Sequence, residues 1–409
     1  MNAWSPEAYT IPGFHSLQAA LATQRQSTPL LLAPVGGKTV ELDFAGGRLS
    51  SDAGLVWLKD IDDQLGLTRA LAAVLGAARD TRRIHFTPDD IRKQRVVHIA
   101  AGYDDANDAT TLRHDPICKL LLTRWPDTGA PWTSQPTLSC FANSRSRTEL
   151  YRLALVWMEP FIASYNRPPE AMVLDVDDPE DRAHGAQEQL RYDGYDGGYG
   201  CMPLHLDEDL SGRLITTILQ AKRCSGAPML AVRKRVVQRR RHAWPDTWGI
   251  LRGDRHFASP EVLAWIEAQP PLSYVTGLTS NAVLQALAPE VVEQAQRASA
   301  RWGRKVPRFH STRYQAGPWA RSRRVVLKVE GSAPGVNPRC VVTDREQARP
   351  QGLYRHIYGA RGQMDNASKD HQRSLKSDRT SCHRCEANQV RLFWHSAASV
   401  LLATLRREV

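Results

Sequence analysis

The sequence predicts a mixed α/β protein whose N-terminal part is helical and whose remainder forms a sheet. Between residues 51 and 165, apolar residues recur at three- and four-residue spacing, which is typical of helices that bury one face. After the proline pair at residues 168–169, strand-like runs first follow one another and then alternate with helices. A chain of 409 residues is expected to form two or three domains.

The N-terminal part begins with a segment of low regularity. Residues 1–50 are rich in proline, glycine and small polar residues, and we interpret them as a loosely ordered arm with one strand pair near residues 30–44. Periodicity and capping residues then predict helices at 55–65, from Thr87 onward, within 112–122 and at 137–157. Both DNA binding and simple packing remain open for this helical region, because no recognition helix stands out.

The second part of the chain carries the predicted strands. Apolar runs at 172–176, 201–206 and 214–219 are closely spaced and predict an antiparallel meander. An arginine-rich helix follows, and then strands at 248–254 and 274–278 flank a helix that begins at Ser259. Further strands are predicted at 324–330 and 339–343. The chain ends in a helical stretch at 357–370 and an amphipathic helix at 387–405.

One strand carries two acids near its C-terminal end. Asp175 and Asp177 point to the same side of this strand, while Val176 points to the other side. Like charges on one face of a buried strand cost stability unless a cation or a proton neutralises them. The pattern fits a divalent metal site, and it fits equally an acidic strand end that leads into a solvated turn.

Two further acids occupy comparable places. Asp254 ends the strand that begins near Trp248, and Asp365 lies on the late helical stretch. Two divalent cations held by such carboxylates can activate an attacking oxygen and stabilise a leaving oxygen in phosphodiester chemistry. Magnesium prefers oxygen ligands and keeps several waters, so few protein ligands are needed. The spacing alone does not select these three acids.

The charge of the chain indicates a polyanionic partner. The formal net charge is +11 and the isoelectric point is about 9.5. Residues 301–328 contain nine Lys or Arg and no acid, with Trp302, Phe309, Tyr314 and Trp319 interleaved. Such a segment can hold phosphates and stack on unpaired bases. A β-hairpin with a solvated basic face and core aromatics is the alternative.

Cysteine usage and hydropathy point to a cytoplasmic protein. The seven cysteines are odd in number and mostly isolated, so we expect reduced thiols and no disulfide framework. No apolar run approaches the roughly 18 residues of a membrane helix. The N-terminus lacks the basic and then apolar pattern of a signal peptide.

Several ordered motifs carry a resemblance to a known family. They are Ser51–Leu55, Gly102–Asp108, Leu174–Asp178, Arg252–Phe257, Arg361–Asn366 and Ala387–Leu392. With these motifs spread over most of the chain, the sequence resembles the DDE-type transposases of bacterial insertion sequences. The resemblance is to the branch with a β-strand insertion between the second and third acids.

The resemblance implies a fold and a domain order. It implies an α/β fold with an RNase H-like catalytic core and a β-rich insertion, preceded by an all-α domain. We therefore expect five regions. They are the N-terminal arm at 1–50, a helical and DNA-binding domain at 51–165, the first part of the catalytic core at 168–290, the basic insertion at 291–350 and the C-terminal core helices at 351–409.

The resemblance also implies the catalytic acids. They would be Asp177, Asp254 and Asp365, which would hold two Mg²⁺ ions, with Mn²⁺ as a substitute. The family's first acid usually lies in a strand-end pattern of the type Asp-x-Thr, which favours Asp177 over Asp175. Asp175 remains a further metal ligand in this interpretation.

The third acid departs from the family pattern. The family's late helix carries Tyr, two residues, Arg, three residues, Glu, six residues and Lys. Tyr358 and Arg361 match, but Asp365 stands in place of Glu and Gln372 in place of Lys. Asp is one methylene shorter than Glu, and the missing Lys removes a phosphate contact.

Predicted DNA contacts come from the late helix and the insertion. In the helix, Tyr358, Arg361 and Lys369 would contact DNA near the cut. In the insertion the expected contacts are Trp302, Arg304, Lys305, Trp319, Arg323 and Arg324. Trp302 and Trp319 are the candidates for base stacking.

The function implied is metal-dependent cleavage at the ends of a mobile element and strand transfer into target DNA. The partners would be the element's terminal inverted repeats and the target DNA, bridged by a homodimer, in the bacterial cytoplasm at the nucleoid. Two alternatives remain. One is a catalytically impaired, transposase-derived DNA-binding protein, and the other is a nuclease that cuts without strand transfer.

Overall fold

The computed structural model describes residues 30–35, 38–42, 50, 52–74, 86–183, 185–193, 197–220, 227–332 and 335–408. The chain divides into two compact units, residues 1–51 and residues 52–409. In the first unit, β1 (Leu30–Val35) pairs antiparallel with β2 (Lys38–Leu42). This is the predicted strand pair. The rest of the predicted N-terminal arm lies outside the described residues, apart from Ser50.

The second unit opens with short helices. They are α1 (Leu55–Leu65), α2 (Leu67–Val74), α3 (Pro88–Ala100), α4 (Ala109–Leu112), α5 (Pro116–Leu121), α6 (Gln135–Asn143), α7 (Arg147–Val156) and α8 (Met158–Ala163). Gly66 ends α1 in the left-handed conformation, with φ of 62°. Thr87 begins α3 with a capping box that includes Asp90.

The helix predicted from 137 to 157 is two helices. Ser146 accepts a hydrogen bond from the backbone N–H of Glu149, and the Glu149 carboxylate accepts one from the backbone N–H of Ser146. This reciprocal cap starts α7 afresh after α6 has ended at Asn143. The single helix predicted from apolar spacing was therefore wrong, because the local cap interrupts it.

An eight-stranded mixed sheet forms the centre of this unit. Its strands are β3 (Ala171–Asp177), β7 (Leu204–Glu208), β8 (Arg213–Ile218), β9 (Trp248–Gly253), β10 (Leu272–Leu278), β11 (Pro307–Tyr314), β12 (Arg323–Ser332) and β13 (Gly335–Thr343). Their order across the sheet is β11-β12-β13-β10-β9-β3-β7-β8. This mixed α/β architecture confirms the predicted fold class.

Strand β3 lies between two different neighbours. It runs antiparallel to β7, which pairs antiparallel with β8, so the predicted meander is present. On its other side β3 runs parallel to β9, and β9 runs parallel to β10. Strands β11 to β13 continue the same sheet beyond β10 through antiparallel pairs. The basic segment of the chain is thus an extension of the central sheet.

A small second sheet lies between β3 and β7 in sequence. It consists of β4 (Asp181–Arg182), β5 (Arg191–Asp193) and β6 (Gly198–Cys201), in the order β4-β6-β5. The strand predicted at 201–206 is therefore divided. Cys201 ends β6, and Leu204 begins β7 in the large sheet.

Helices follow the strands and close the fold. They are α9 (Ala227–Ala243), α10 (Pro260–Glu267), α11 (Ala282–Ala286), α12 (Pro289–Trp302), α13 (Pro350–Gly352), α14 (Gly362–Arg373) and α15 (Cys385–Glu408). Between α13 and α14 the chain stays helical, as a π-helix at Leu353–Tyr358 and a 3₁₀ turn at Gly359–Arg361. The predicted helical stretch at 357–370 lies within this run.

The two faces of β3 meet different partners. Met172, Leu174 and Val176 are buried in the main core of the sheet. Val173 packs instead on the cluster formed with Leu353 of the π-helix. By strand alternation, Asp175 and Asp177 share the Val173 side, which the helical run at 350–373 covers. Among the described residues, no helix is long and apolar enough to cross a membrane.

Candidate functional site

Arg361 joins two of the predicted acids. Its Nη2 lies 2.8 Å from Oδ1 of Asp177, and its Nη1 lies 3.0 Å from Oδ1 of Asp365. Asp177 is the last residue of β3, and Asp365 lies on α14 one helical turn after Arg361. Strand alternation and helical spacing therefore bring two distant acids to one guanidinium.

A second carboxylate pair lies at the ends of β3 and β9. His256 Nδ1 is 2.6 Å from Oδ2 of Asp178, the residue that follows Asp177. Asp254 follows β9 and caps the 3₁₀ turn Arg255–Phe257, where its Oδ1 accepts a 2.8 Å hydrogen bond from the backbone N–H of His256. His256 therefore touches both acids, one through its ring and one through its backbone.

Burial and neighbouring charges shift the pKa values of these groups. It raises the pKa of Asp177, and the guanidinium of Arg361 opposes that shift. Burial also raises the pKa of Asp178, where His256 opposes the shift and the charge of Asp254 adds to it. The hydrogen bond to Asp178 raises the pKa of His256. The end of the sheet is thus a cluster of carboxylates in which Asp177 lies close to Arg361 and Asp178 close to His256.

Tyr358 links the late helical run to the Asp254 turn. A Cβ atom at Gly277 of β10 would lie 2.7 Å from the Tyr358 hydroxyl and 2.9 Å from the backbone nitrogen of Arg255. The absence of a side chain at Gly277 lets the tyrosine approach this turn. Burial raises the pKa of Tyr358, and the charge of Asp254 adds to the shift. Tyr358 is therefore a neutral hydroxyl beside Asp254.

Asp175 lies apart from these pairs. Both of its carboxylate oxygens accept hydrogen bonds from Arg252, with 2.5 Å between Oδ1 and Nε. Arg252 also pairs with Asp209 and donates to the carbonyl of Ile357. Asp175 and Arg252 are each 1% exposed. Through Arg252, Asp175 therefore links β3, β9 and the late helical run. Asp177, the last residue of β3, is the acid that lies at the end of the strand.

Arg233 is a neighbour of Asp178 that the sequence motifs did not identify. It lies on α9 and is 2% exposed, with its guanidinium carbon 4.7 Å from the ring centroid of Phe257. Burial lowers the pKa of Arg233 to about 10, and the charge of Asp178 opposes this. Within the described part of the chain, its Nε and Nη2 have no hydrogen-bond partner. An arginine-rich helix was visible in the sequence, but which arginine turns inward was not.

The residues at the strand ends suit a hard divalent cation by their chemistry. Carboxylate oxygens are the ligands that Mg²⁺ prefers, and the Arg361 guanidinium already places a positive charge between Asp177 and Asp365. In the described ranges, no three His, Cys, Asp or Glu side chains are grouped closely enough to hold a metal ion. The carboxylate oxygens suit the metal by type, and in this arrangement the Arg361 guanidinium occupies the space between Asp177 and Asp365.

The predicted contacts of the insertion divide into two groups. Trp302, Arg304 and Lys305, at the end of α12, are exposed. Trp319 is 4% exposed and packs in the main core. The prediction that Trp319 stacks on a base is therefore wrong, because the ring is buried in the core.

Arg323 and Arg324 are corrected in the same way. Arg323 donates to both carboxylate oxygens of Glu267. Arg324 donates to Ser311 and to backbone carbonyls that follow β13. Both arginines begin β12, a strand with neighbours on both sides, and both are buried. Their charges stabilise the fold, and they are not available to a phosphate.

The remaining residues of α14 lie where the helix puts them. Lys369 is exposed one turn after Asp365. Gln372 donates 3.0 Å hydrogen bonds to the carbonyl of Glu180 and to Oδ1 of Asp181. The residue that replaces the family's lysine therefore ties α14 to the loop and strand that follow Asp178.

Residues 32–409 match the family described as transposase DDE domain, group 1. Among solved structures, a chain of the piggyBac transposase synaptic complex with hairpin DNA, determined by cryo-EM, is 13% identical and has a TM-score of 0.46. That match covers 88% of this chain and 76% of the other. The search of curated proteins gave no match.

Proposed function

Because the chain belongs to the family of transposase DDE domains, we propose that it is a DNA transposase of an insertion sequence. It would cut phosphodiester bonds at the ends of its element and join the freed 3′-hydroxyl to target DNA. One observation carries the assignment. Asp177 and Asp365 meet at Arg361, beside the Asp178–His256–Asp254 group, at the ends of adjacent parallel strands.

The proposed catalytic acids are Asp177, Asp254 and Asp365. They would hold Mg²⁺, or Mn²⁺ in its place, and two such ions supply Lewis-acid activation of the attacking oxygen and stabilisation of the leaving one. Asp178 and His256 keep Asp254 and the end of β3 in a fixed relation through their hydrogen bonds.

Other residues of the chain would place the DNA. Arg361 has a planar guanidinium at the acids, suited to pair with a phosphate oxygen, and Tyr358 lies one turn before it. Exposed Lys369 lies one turn after Asp365. Trp302 with Arg304 and Lys305 offers an exposed aromatic face between positive charges, which suits an unpaired base and its phosphates.

The same proposal covers partners and location. Its DNA partners would be the inverted repeats at the element ends and a target duplex, and a homodimer would bridge the two ends. The protein would act in the bacterial cytoplasm, at the nucleoid. The net charge of +11 supports a polyanionic partner.

A second candidate is a DNA-binding protein that has lost cleavage. Asp365 is shorter than the Glu of the family pattern, and Gln372 is engaged with Asp181 where the pattern has a lysine. Either change could weaken catalysis and leave DNA binding in place.

Cleavage of labelled element-end DNA tests the two candidates. The natural protein should cut in Mg²⁺ or Mn²⁺, and Asp254→Asn should bind the same DNA without cutting it. Asp246→Asn is the matched control, because Asp246 is an exposed acid just before β9. Cutting that survives Asp254→Asn would refute the assigned site. DNA binding without cutting by the natural protein would favour the second candidate.

A further inference from the structure

The contact between Arg361 and the two acids has a consequence for cation binding. Its guanidinium uses separate nitrogens for Asp177 and Asp365, so it bridges strand β3 and helix α14. The Arg361 and Asp177 side chains are 16% and 18% exposed. In so little water the Arg361–Asp177 pair is screened less than a surface pair is, whereas Asp365 is 42% exposed.

A divalent cation bound between the two carboxylates would lie in the space that the Arg361 guanidinium occupies. Each acid offers Arg361 its Oδ1 atom, and a metal between Asp177 and Asp365 would meet the guanidinium there. Two positive groups cannot share this space without strong repulsion. Arg361 must therefore turn away before the two acids can bind a metal together.

A DNA phosphate is the group best suited to draw Arg361 away. Guanidinium pairs with phosphate through two parallel hydrogen bonds, as it does with carboxylates. In the part of the chain that the structure describes, Nε of Arg361 has no hydrogen-bond partner, so the side chain keeps an unused donor. Arg361 can thus exchange its contacts with the two acids for two hydrogen bonds to one phosphate, one of them from Nε.

We infer that Arg361 closes the Asp177–Asp365 pair to divalent cations until a DNA phosphate takes its guanidinium. The inference rests on the proposed function and adds a regulation of the same site. It makes DNA and metal binding mutually favourable, and by linkage each raises the affinity for the other by the same factor. A protein without DNA would then stay largely metal-free.

Mn²⁺ binding to the full chain, followed by the electron paramagnetic resonance signal of free Mn²⁺, tests this without reference to activity. Arg361→Gln should bind Mn²⁺ about 5- to 100-fold more tightly than the natural protein in the absence of DNA. Arg373→Gln is the matched control, because it removes the same charge from an exposed position of α14, the helix that follows Arg361. It should change the affinity little. Circular dichroism and thermal melting confirm that each variant is folded.

Adding a short duplex gives the second arm. The natural protein should then bind Mn²⁺ more tightly by a similar factor, whereas Arg361→Gln should gain little, because its acids are already open. Equal Mn²⁺ affinity of the natural protein and Arg361→Gln without DNA overturns the inference. The inference is also overturned if DNA raises the Mn²⁺ affinity of the natural protein and of Arg361→Gln equally. It is overturned as well if Arg373→Gln, without DNA, binds Mn²⁺ as tightly as Arg361→Gln does.

The outcome for Arg361 is separate from the outcome for the proposed function. A natural protein that cuts DNA while Arg361→Gln binds Mn²⁺ no more tightly leaves the transposase proposal intact and refutes the inference. If Arg361→Gln binds Mn²⁺ more tightly but the natural protein never cuts DNA, the inference about Arg361 is supported and the proposed cleavage activity is refuted.

Discussion

Arg252 on β9 and Asp175 on β3 lie side by side in the parallel strand pair and form an ion pair in which each side chain is 1% exposed. A charge buried this deeply is tolerated only with its partner. The pair also reaches Asp209 and the carbonyl of Ile357. The acid that looked like a metal ligand in the sequence therefore has a structural role.

Asp175→Asn should destabilise the protein by up to about 3–5 kcal/mol, because it removes one of the two carboxylates that face the buried Arg252 guanidinium and leaves only Asp209. Urea unfolding measures this directly. Asp365→Asn is the contrasting variant, since Asp365 is 42% exposed in its ion pair with Arg361 and should lose less than about 1 kcal/mol. Equal losses of stability in the two variants would contradict the structural assignment of Asp175.

Asp365→Glu should keep the contact with Arg361 and cut element-end DNA at least as fast as the natural protein. The longer side chain reaches further from α14, toward Asp177. Asp365→Asn should lose at least about a hundredfold in rate, because an amide cannot neutralise a cation. Single-turnover cleavage compares the three proteins. If Asp365→Asn cuts at the natural rate, Asp365 is not a catalytic acid.

Local patterns in the sequence were enough for many elements, because their causes are local. The Thr87 cap, the Gly66 stop and the meander that starts at β3 each depend on a few neighbouring residues. The same patterns predicted one long helix across Ser146, where a single cap decided otherwise. Apolar spacing alone does not register such a cap.

The partners of the charged residues could not be predicted, because they come from distant parts of the chain. The choice between Asp175 and Asp177 depends on Arg252, which is 77 residues from Asp175 in sequence. Similarly, Trp319 was a candidate for base stacking in a basic segment, yet it packs in the main core of the extended sheet. Composition indicates a basic surface without showing which residues face inward.

Asp178→Asn should lower the pKa of His256, because the hydrogen bond to Asp178 is the largest cause that raises it. Nuclear magnetic resonance titration of the imidazole measures the change. The raised pKa means that His256 contributes stability below its unfolded pKa of about 6.5, and this is lost as the pH rises through the folded pKa. The cost of His256→Gln should thus be greatest under acidic conditions. An unchanged pKa in Asp178→Asn would show that the contact does not hold in solution.

Asp181→Asn should make stability less dependent on pH. Burial raises the pKa of Asp181 to about 7 and the hydrogen bond from Gln372 opposes the shift, so ionising Asp181 disfavours the folded state. The stability that protonated Asp181 contributes is fully present below its unfolded-state pKa of about 3.9 and is lost as the pH rises through 7. The free energy of unfolding of the natural protein should be lower at pH 8 than at pH 5 by an amount on the order of 1–4 kcal/mol. The difference should be smaller in Asp181→Asn.

Gln372→Lys offers an independent check of the same contact. A lysine here would put a positive charge beside Asp181, lower its pKa and stabilise the protein at pH 8 more than at pH 5. Gln372→Met is the matched control, since it keeps the length of the side chain without charge or hydrogen bond. A lysine that stabilises equally at both pH values would mean that it does not reach Asp181.

The two tryptophans of the basic segment should respond oppositely to substitution. Trp302 is exposed at the end of α12, with the Arg301 guanidinium 5.3 Å from its ring centroid, so Trp302→Ala should leave stability within about 0.5 kcal/mol. If the exposed ring stacks on an unpaired base, the same change should weaken binding to single-stranded or distorted DNA by about 1–3 kcal/mol.

Trp319→Ala should instead leave a cavity in the main core and cost about 3–5 kcal/mol of stability. Trp319→Phe, which keeps most of the volume, should fold well and bind DNA as the natural protein does. Fluorescence anisotropy with labelled DNA, beside urea unfolding, separates the two residues. A folded Trp319→Phe that loses DNA binding would contradict the core role of Trp319. A Trp302→Ala that keeps full DNA binding would contradict the stacking role of Trp302. Both assignments rest on the exposure of Trp302 and the burial of Trp319.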